Sequence, residues 1–483
     1  MPSESLNGLK SLFEPEVVAV VGVSKTPNKV GSIIFRNFKG SGFCGKVYPV
    51  NPKYDKVLGE RCYPSVREIP ESLDLVVIAV PAPHVIDVMS DCVAKGVKAV
   101  IVVSGGFKES GPEGAALEEK LRRIAEGSGV RVLGPNCIGV YNPYSRVDTI
   151  FLPEERLARP KPGTLSFISQ SGALAVAMLD WLALHGYGIG KCVSYGNGCD
   201  VDETDLLLYL AEDDDTDVIL LYIEGVKDGR RFMEAAKRAV LRKPVVAIKA
   251  GRSATGASAI MSHTGSMAGS DEVYEAAFKQ TGVIRVGDFE EAFDVVKAFM
   301  MQPLASGRRV LIVTNGGGAG VMAVDACERS GLTVPELDED VKRRLPFPPH
   351  FSRRNPIDLT GDVKDGDYWT VLNEAFLKYD GFDSALICIL PQVPNLTFRV
   401  ADIIGRANKV SGKPIVACCM GGAFTLKLTR EIESRRIPVY PTPERAAKAL
   451  SSLAIYNEAL MRLKADIKGE KKEHQPFFWP SRL

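Results

Sequence analysis

Very little in this chain would tie it to a membrane, to nucleic acid or to an oxidising compartment. Sixty Lys and Arg stand against 59 Asp and Glu, a formal net charge of +1, so bulk charge does not hold the protein to a polyanion or a lipid surface. No apolar run approaches the roughly 20 residues a membrane span requires. The opening segment MPSESLNGLKSLFEPE lacks the basic and apolar regions of a signal peptide. The ten cysteines form no CxxC and no metal-like spacing with any of the five histidines, and no metal site is expected. Cys388, Cys418 and Cys419 lie in apolar stretches and read as small buried side chains. These absences describe a cytoplasmic protein with reduced thiols.

What is present is a long alternation of β-branched runs and amphipathic stretches, the pattern of parallel sheets covered by helices. With 483 residues, the chain is long enough for about three domains. Strands are expected at 17–23, 46–50, 73–80, 98–104 and 130–136, a first block ending near Tyr144. A Pro-rich connector (152–163) leads to a second block from 164 to 300, and a linker (301–307) to a third, which ends near Tyr456. The last 20 residues are charged, then aromatic, and read as a tail.

Blocks two and three follow one plan. Each opens with a strand entering a small-residue turn and a helix, SFISQSGALAVAML or LIVTNGGGAGVMAV. Each has a middle strand after an Asp, then KPVVAIKAG or KPIVACCMG, and closes with DFEEAFDVV or TPERAAKAL. Such an internal duplication makes the differences between the copies informative. From Lys243 to Glu290 is 47 positions, whereas from Lys413 to Glu444 is 31, so the first copy carries an insertion around 257–278. Seven residues after Asp217 stands Glu224, whereas seven after Asp383 stands Leu390. Neither the carboxylate nor the inserted segment is needed to build the fold.

The insertion contains SHTGSMAG, read as a loop of small residues around His263. A neutral imidazole is a competent nucleophile. Glu224 ends an apolar strand, where a carboxylate requires a hydrogen-bond partner. An imidazole N–H held by Glu224 would fix the tautomer and free the other nitrogen for attack; an interdomain salt bridge is the alternative. The turns SQSGA (169–173) and NGGGAG (315–320) each aim helix N-terminal N–H groups at the strand ends, where an anion binds well. The first block has a related turn, VVGVSKTPNKVG, which departs from GxGxxG. Lys53 and Lys46 suit a ribose phosphate rather than a free ribose diol, which leaves CoA and NADP both open. The turns VPAP, VSGGF and GPNC follow later strands of that block.

Taken in order, GxSxxxxKxG, VNP, VPAP, GPNC, SQSG, YGN, IEG, SHTG and TNGGGAG resemble the succinyl-CoA synthetase superfamily over residues 8–460. The nearest likeness is to the α subunit of ADP-forming acetyl- or acyl-CoA synthetases. The resemblance implies an α/β chain with a Rossmann-like CoA-binding domain (1–150) and two flavodoxin-like doubly wound domains (160–302 and 307–460), followed by a tail (464–483). It implies that His263 is transiently phosphorylated and Glu224 orients it. Phosphate would be bound by Ser169, Gln170, Ser171 and Gly172 at one helix start, and by Asn315, Gly316, Gly317 and Gly318 at the other. CoA would be contacted by Gly22, Ser24, Lys25, Lys53, Val80, Pro81, Ser104, Gly105 and Asn136.

The implied reaction turns acyl-CoA, ADP and phosphate reversibly into acid, CoA and ATP. Nothing in the chain resembles an ATP-grasp domain, so ADP, ATP and Mg²⁺ are expected mainly on a partner β subunit, in an α2β2 assembly. No nucleic-acid or membrane partner is expected. Two other readings use the same scaffold: a non-catalytic CoA-binding regulator, against which Glu224 and His263 together argue, and an NADP-dependent oxidoreductase, for which blocks two and three have no obvious use.

Overall fold

The computed structural model describes residues 3–264 and 269–469. Two compact units divide the chain, Met1–Met301 and Gln302–Leu483.

The first unit holds two sheets. In one, the parallel strands run in the order Lys46–Val50, Val17–Val21, Leu75–Ile78, Ala99–Val102 and Arg131–Leu133. Residues Leu75–Ile78 and Ala99–Val102 are buried throughout, as expected of strands with both faces covered by helices. The second sheet runs Ile284–Val286, Val245–Lys249, Val218–Ile223, Leu165–Ser169 and Cys192–Ser194, all parallel. It then continues antiparallel through Gly139–Asn142 and Val147–Asp148.

That last hairpin precedes the Pro-rich connector, in the stretch where the sequence reading ends the first block. It joins the second sheet because Gly139–Asn142 pairs with Cys192–Ser194. A buried ion pair locks the connector onto it: Arg159 Nε donates to Asp148 Oδ2 at 2.7 Å, and both side chains are under 10% exposed.

The second unit has one parallel sheet, ordered Ile357–Asp358, Val310–Thr314, Ser384–Ile389, Ile415–Cys419 and Val439–Tyr440. Numbered along the chain within each block, the parallel strands of all three sheets follow one order, 2-1-3-4-5. In that doubly wound order the strand sequence reverses between the first and third strands, which opens a crevice at their carboxyl ends. The duplication seen in the sequence is therefore a duplication of topology.

Two segments differ from their expected form. The region around His263, read as a loop, is the helix Ala254–Thr264, followed by the helix Asp271–Thr281. Ala, Ile and Met between the Ser and Gly residues suffice to carry the helix; 265–268 lie outside the described residues. The closing helix runs Pro443–Lys468, well past Tyr456, capped by Thr442 Oγ1 accepting from Arg445 N–H. Of the expected tail, 470–483 lie outside the described residues.

Candidate active site

The second sheet's crevice lies where Leu165–Ser169 enters the helix Gly172–His185, beside the end of Val218–Ile223. Ser169 Oγ donates to the Ser171 carbonyl (2.7 Å) and accepts from the Ser171 N–H (3.1 Å). Gln170 spans the crevice: its N–H donates to the Tyr222 carbonyl at 3.1 Å. Its side-chain oxygen accepts from the N–H groups of Glu224 (2.7 Å) and Gly225 (3.2 Å). Ser171 Oγ caps the helix by accepting from Leu174 N–H at 3.4 Å. The residues of SQSG thus shape a helix start whose first N–H groups have no intrahelical acceptor.

The second unit repeats the device. Thr314 Oγ1 exchanges hydrogen bonds with Gly316 at 3.1 Å each, and Asn315 trades two with Leu390 at 2.8 and 2.9 Å. Gly317 and Gly318 open the helix Gly317–Arg329; a Cβ on Gly317 would stand 3.1 Å from the Asp358 carboxylate, whereas Gly318 faces open space.

Glu224 is 6% exposed, and the Tyr222 hydroxyl approaches its Oε1 at 3.4 Å. On the neighbouring strand Lys249 is 3% exposed. Its ammonium donates to the Ala250 carbonyl and lies 4.5 Å from the centroid of the Tyr274 ring. The Tyr274 hydroxyl in turn accepts from Val226 N–H at 2.9 Å. Burial pushes the Lys249 ammonium below its ordinary pKa, against the opposing pull of Asp271 and Glu224. His263 falls near the end of the helix Ala254–Thr264; its side chain lies outside the described residues. This helix approaches the turn Lys108–Ser110 of the first sheet's domain.

Residues of the first two sheets meet at Asn197. Its N–H donates to the Pro135 carbonyl (3.0 Å), and its Nδ2 donates to Glu109 and Glu118, both at 2.7 Å. Its carbonyl accepts from Lys108 (3.1 Å) and Lys227 (3.2 Å). Gly196 has φ +55°, and a Cβ there would come within 2.2 Å of the Asn136 carbonyl, so the YGN turn packs directly on GPN. Close by, Glu203 is 4% exposed; burial and the adjacent Asp202 carboxylate push its carboxyl up to about 7.

The expected CoA contacts cluster at the carboxyl ends of the first sheet. Gly22 follows Val17–Val21 with φ +98°, its N–H donating to the Val50 carbonyl at 2.9 Å. Ser24 is tied to Ser32: its N–H donates to Ser32 Oγ (2.9 Å), which donates back to its carbonyl (2.8 Å). Lys25 lies 5.3 Å from the Tyr54 ring centroid, and Lys53 N–H donates to Asn51 Oδ1 at 3.0 Å. Val80 and Pro81 precede the single turn Ala82–His84. Ser104 Oγ donates to the Val80 carbonyl (2.5 Å), and Asn136, at φ +57°, donates its N–H to the Ser104 carbonyl (2.9 Å), beside Gly105. Lys46 does not join them. It begins its strand, at the amino end of the sheet and away from the carboxyl ends, and pairs with Glu71 at 2.5 Å.

Three family models match the chain: a CoA binding domain over residues 16–143, a succinyl-CoA ligase like flavodoxin domain over 162–299, and a ligase-CoA domain over 310–456. The chain is 43% identical to the α subunit of acetate–CoA ligase (ADP-forming) I of Pyrococcus furiosus, over 92% of this chain and 97% of that one. This chain belongs to the ADP-forming acetate–CoA ligases.

Among solved ligases, the dinucleotide-forming acetyl-coenzyme A synthetase 1 of Candidatus Korarchaeum cryptofilum, in complex with phosphate and ADP, superposes with a TM-score of 0.88 at 41% identity. The match covers 95% of this chain and 99% of that one. The acetate–CoA ligase (ADP-forming) I of Archaeoglobus fulgidus is 42% identical over 95% of this chain, which spans 65% of that longer ligase. Within the ligase chain, Gly22 to Asn136 fall inside the CoA binding match. Ser169 to Gly172, Glu224, Lys249 and His263 fall inside the second match, and Asn315 to Gly318 inside the third. Among the described residues no helix is long and apolar enough to cross a membrane.

Sequence reasoning missed Lys249, although the signal was present. The same counting that sets Glu224 against Leu390 sets Lys249 against Cys419. Lys108 and Lys227 carried no such signal, because only folding brings them to the Asn197 junction.

Proposed function

We propose that this chain is the α subunit of an ADP-forming acyl-CoA synthetase, working with an ATP-grasp β subunit, in an α2β2 assembly in the cytoplasm. The observation that carries the reading is the crevice of the second sheet. There a buried carboxylate, Glu224, a helix start and the helix bearing position 263 belong to one domain, whereas the sister domain has Leu390 in place of the carboxylate.

In the first step a phosphate oxygen attacks the thioester carbonyl, the C–S bond breaks, and acyl phosphate and CoA form. CoA would lie along Gly22, Ser24, Lys25, Lys53, Val80, Pro81, Ser104, Gly105 and Asn136, with the thioester toward the Asn197 junction. Negative charge gathering on the phosphoryl oxygens would be met by the N–H groups at the SQSG helix start. The helix start of the second unit, Asn315 to Gly318, has the same form and is itself a candidate for binding phosphate. His263 then attacks phosphorus, the bond between phosphorus and the acyl oxygen breaks, and the free acid leaves. Glu224 accepts the imidazole N–H, which fixes the tautomer and leaves the attacking nitrogen unprotonated. Finally the phosphoryl group passes to ADP, held with Mg²⁺ on the partner.

The test is label transfer from radioactive phosphate in the presence of acetyl-CoA and a panel of other acyl-CoAs, with the wild type and His263→Ala. Acid-labile label on the wild type alone is expected, and the acyl-CoA that supports it identifies the acid. A wild-type chain that binds CoA yet stays unlabelled with the ATP-grasp subunit present would instead mark a non-catalytic CoA-binding regulator.

A further inference from the structure

We propose that Asn197 is a positioning residue that aligns the thioester end of bound CoA with the phosphoryl crevice, an inference that rests on the function proposed above. An asparagine amide carries two N–H donors. In Asn197 each meets a different carboxylate, Glu109 Oε2 and Glu118 Oε2, both at 2.7 Å. Glu109 Oε1 accepts in turn from the N–H groups of Gly106 (2.6 Å) and Phe107 (3.1 Å). Glu118 Oε2 also accepts from Lys108 N–H at 3.3 Å. Through two carboxylates, one side chain from the second sheet's domain fixes three consecutive N–H groups of the loop that follows Ser104 and Gly105, both expected CoA contacts.

The main chain of the same turn is tied to the crevice. Lys227, three residues after Glu224, donates to the carbonyls of Asn197 (3.2 Å) and Gly198 (2.5 Å). The turn Lys108–Ser110 also meets the helix Ala254–Thr264, which carries position 263. Asn197 is 4% exposed, and its amide donates to charged acceptors, which make the stronger hydrogen bonds. The CoA loop and the segment that follows Glu224 therefore share one rigid anchor.

The second unit shows that the scaffold itself does not need this residue. Ser169 pairs with Ser194 in one sheet as Thr314 pairs with Asp358 in the other. Three residues beyond these partners stand Asn197 and Gly361. A Cβ on Gly361 would meet Val393 at 3.9 Å, an ordinary contact that closes no network. The same strand order is thus built with a glycine where the CoA-linked copy has an amide.

Acyl transfer brings together two ligands held by different domains, and a misplacement of about 1 Å can cost roughly a hundredfold in rate. Phosphoryl exchange between His263 and the nucleotide on the partner does not use the CoA loop. The experiment therefore compares two routes to phosphorylated His263 in the full chain with its ATP-grasp partner: from acyl-CoA with labelled phosphate, and from γ-labelled ATP. Asn197→Ala is expected to slow the first route about ten- to a hundredfold and to leave the second within about twofold. Glu109→Gln keeps an oxygen for Gly106 and Phe107 but sets an NH₂ group against Asn197 Nδ2, and should show the same split. Retained CoA binding marks a folded variant. Equal slowing of both routes, or of neither, would overturn the inference and leave the function standing. Failure of both variants to bind CoA would also overturn it, by making Asn197 a folding residue. A wild type that takes no label from any acyl-CoA and phosphate overturns the function itself, and this inference with it.

Discussion

Gln170 and Glu224 are joined across the crevice by the glutamine's side-chain oxygen, which accepts from the N–H groups of Glu224 and Gly225 at 2.7 and 3.2 Å. One amide thus sets both the start of a helix and the height of a buried carboxylate. Gln170→Ala leaves two N–H groups without their acceptor and should cost about 1–3 kcal/mol of stability. Because Glu224 is displaced while the first sheet is untouched, phosphorylation should slow with CoA affinity unchanged. Urea denaturation, label transfer and CoA titration separate the three effects.

Glu203 makes stability fall with rising pH. Its carboxyl ionises near 4.5 in the unfolded chain and near 7 in the fold, so between those values the folded protein holds the extra proton. Stability is greatest below the unfolded value, declines through the window and levels off above the folded one. Glu203→Gln cannot ionise and should lose that slope. It is expected to match the wild type near pH 4.5 and exceed it at pH 8 by up to about 3 kcal/mol, read from denaturation curves at the two pH values.

Asn197 serves two carboxylates and two lysines from a buried position. Asn197→Ala removes the donor shared by Glu109 and Glu118 and should cost about 3 kcal/mol. Burial pushes the Glu109 carboxyl up, but hydrogen bonds from Asn197 and from the Phe107 and Gly106 N–H groups hold it below its ordinary value. That contribution is present above the unfolded pKa and disappears as pH falls through the folded one. The variant's deficit should therefore shrink in acid, a trend that denaturation at pH 7 and pH 3 would reveal.

Gly22 leaves no room for a side chain. At φ +98°, a Cβ would stand 2.3 Å from the Ala79 carbonyl oxygen. Gly22→Ala combines a disfavoured backbone with a main-chain clash and should cost at least about 1–3 kcal/mol. It should also weaken CoA binding by distorting the turn, whereas Gly59→Ala, which also has positive φ but meets no atom within 4 Å, should leave CoA binding intact. Calorimetric titration of both variants with CoA tests the contrast.

Much of this molecule was legible in its sequence. Runs of Val and Ile bounded by Gly and Pro announce parallel strands whether or not their neighbours are known, because burial on both faces needs apolar residues throughout. The duplication could be read from repeated motifs, and Glu224 stood out because a sister segment supplied the apolar residue expected there. Lys249 was available by the same comparison. The helix through His263 was misread because Ser, Thr and Gly, which favour turns by local hydrogen bonding and backbone freedom, outweighed the Ala, Ile and Met between them.

Folding decided what no spacing encodes. Gly139–Asn142 belongs to the second sheet because its backbone pairs with Cys192–Ser194, a choice made by long-range hydrogen bonding rather than by local composition. Lys46 and Lys53 are seven residues apart and of the same type, yet strand direction puts one at the amino end of the strand Lys46–Val50 and the other beyond its carboxyl end. Asn197 becomes a junction only when turns from two sheets close on it. The sequence by itself determined the strands, their family and the residues able to carry the chemistry. The tertiary structure decided which of them share one buried, low-dielectric place, because that depends on distance in space and not along the chain.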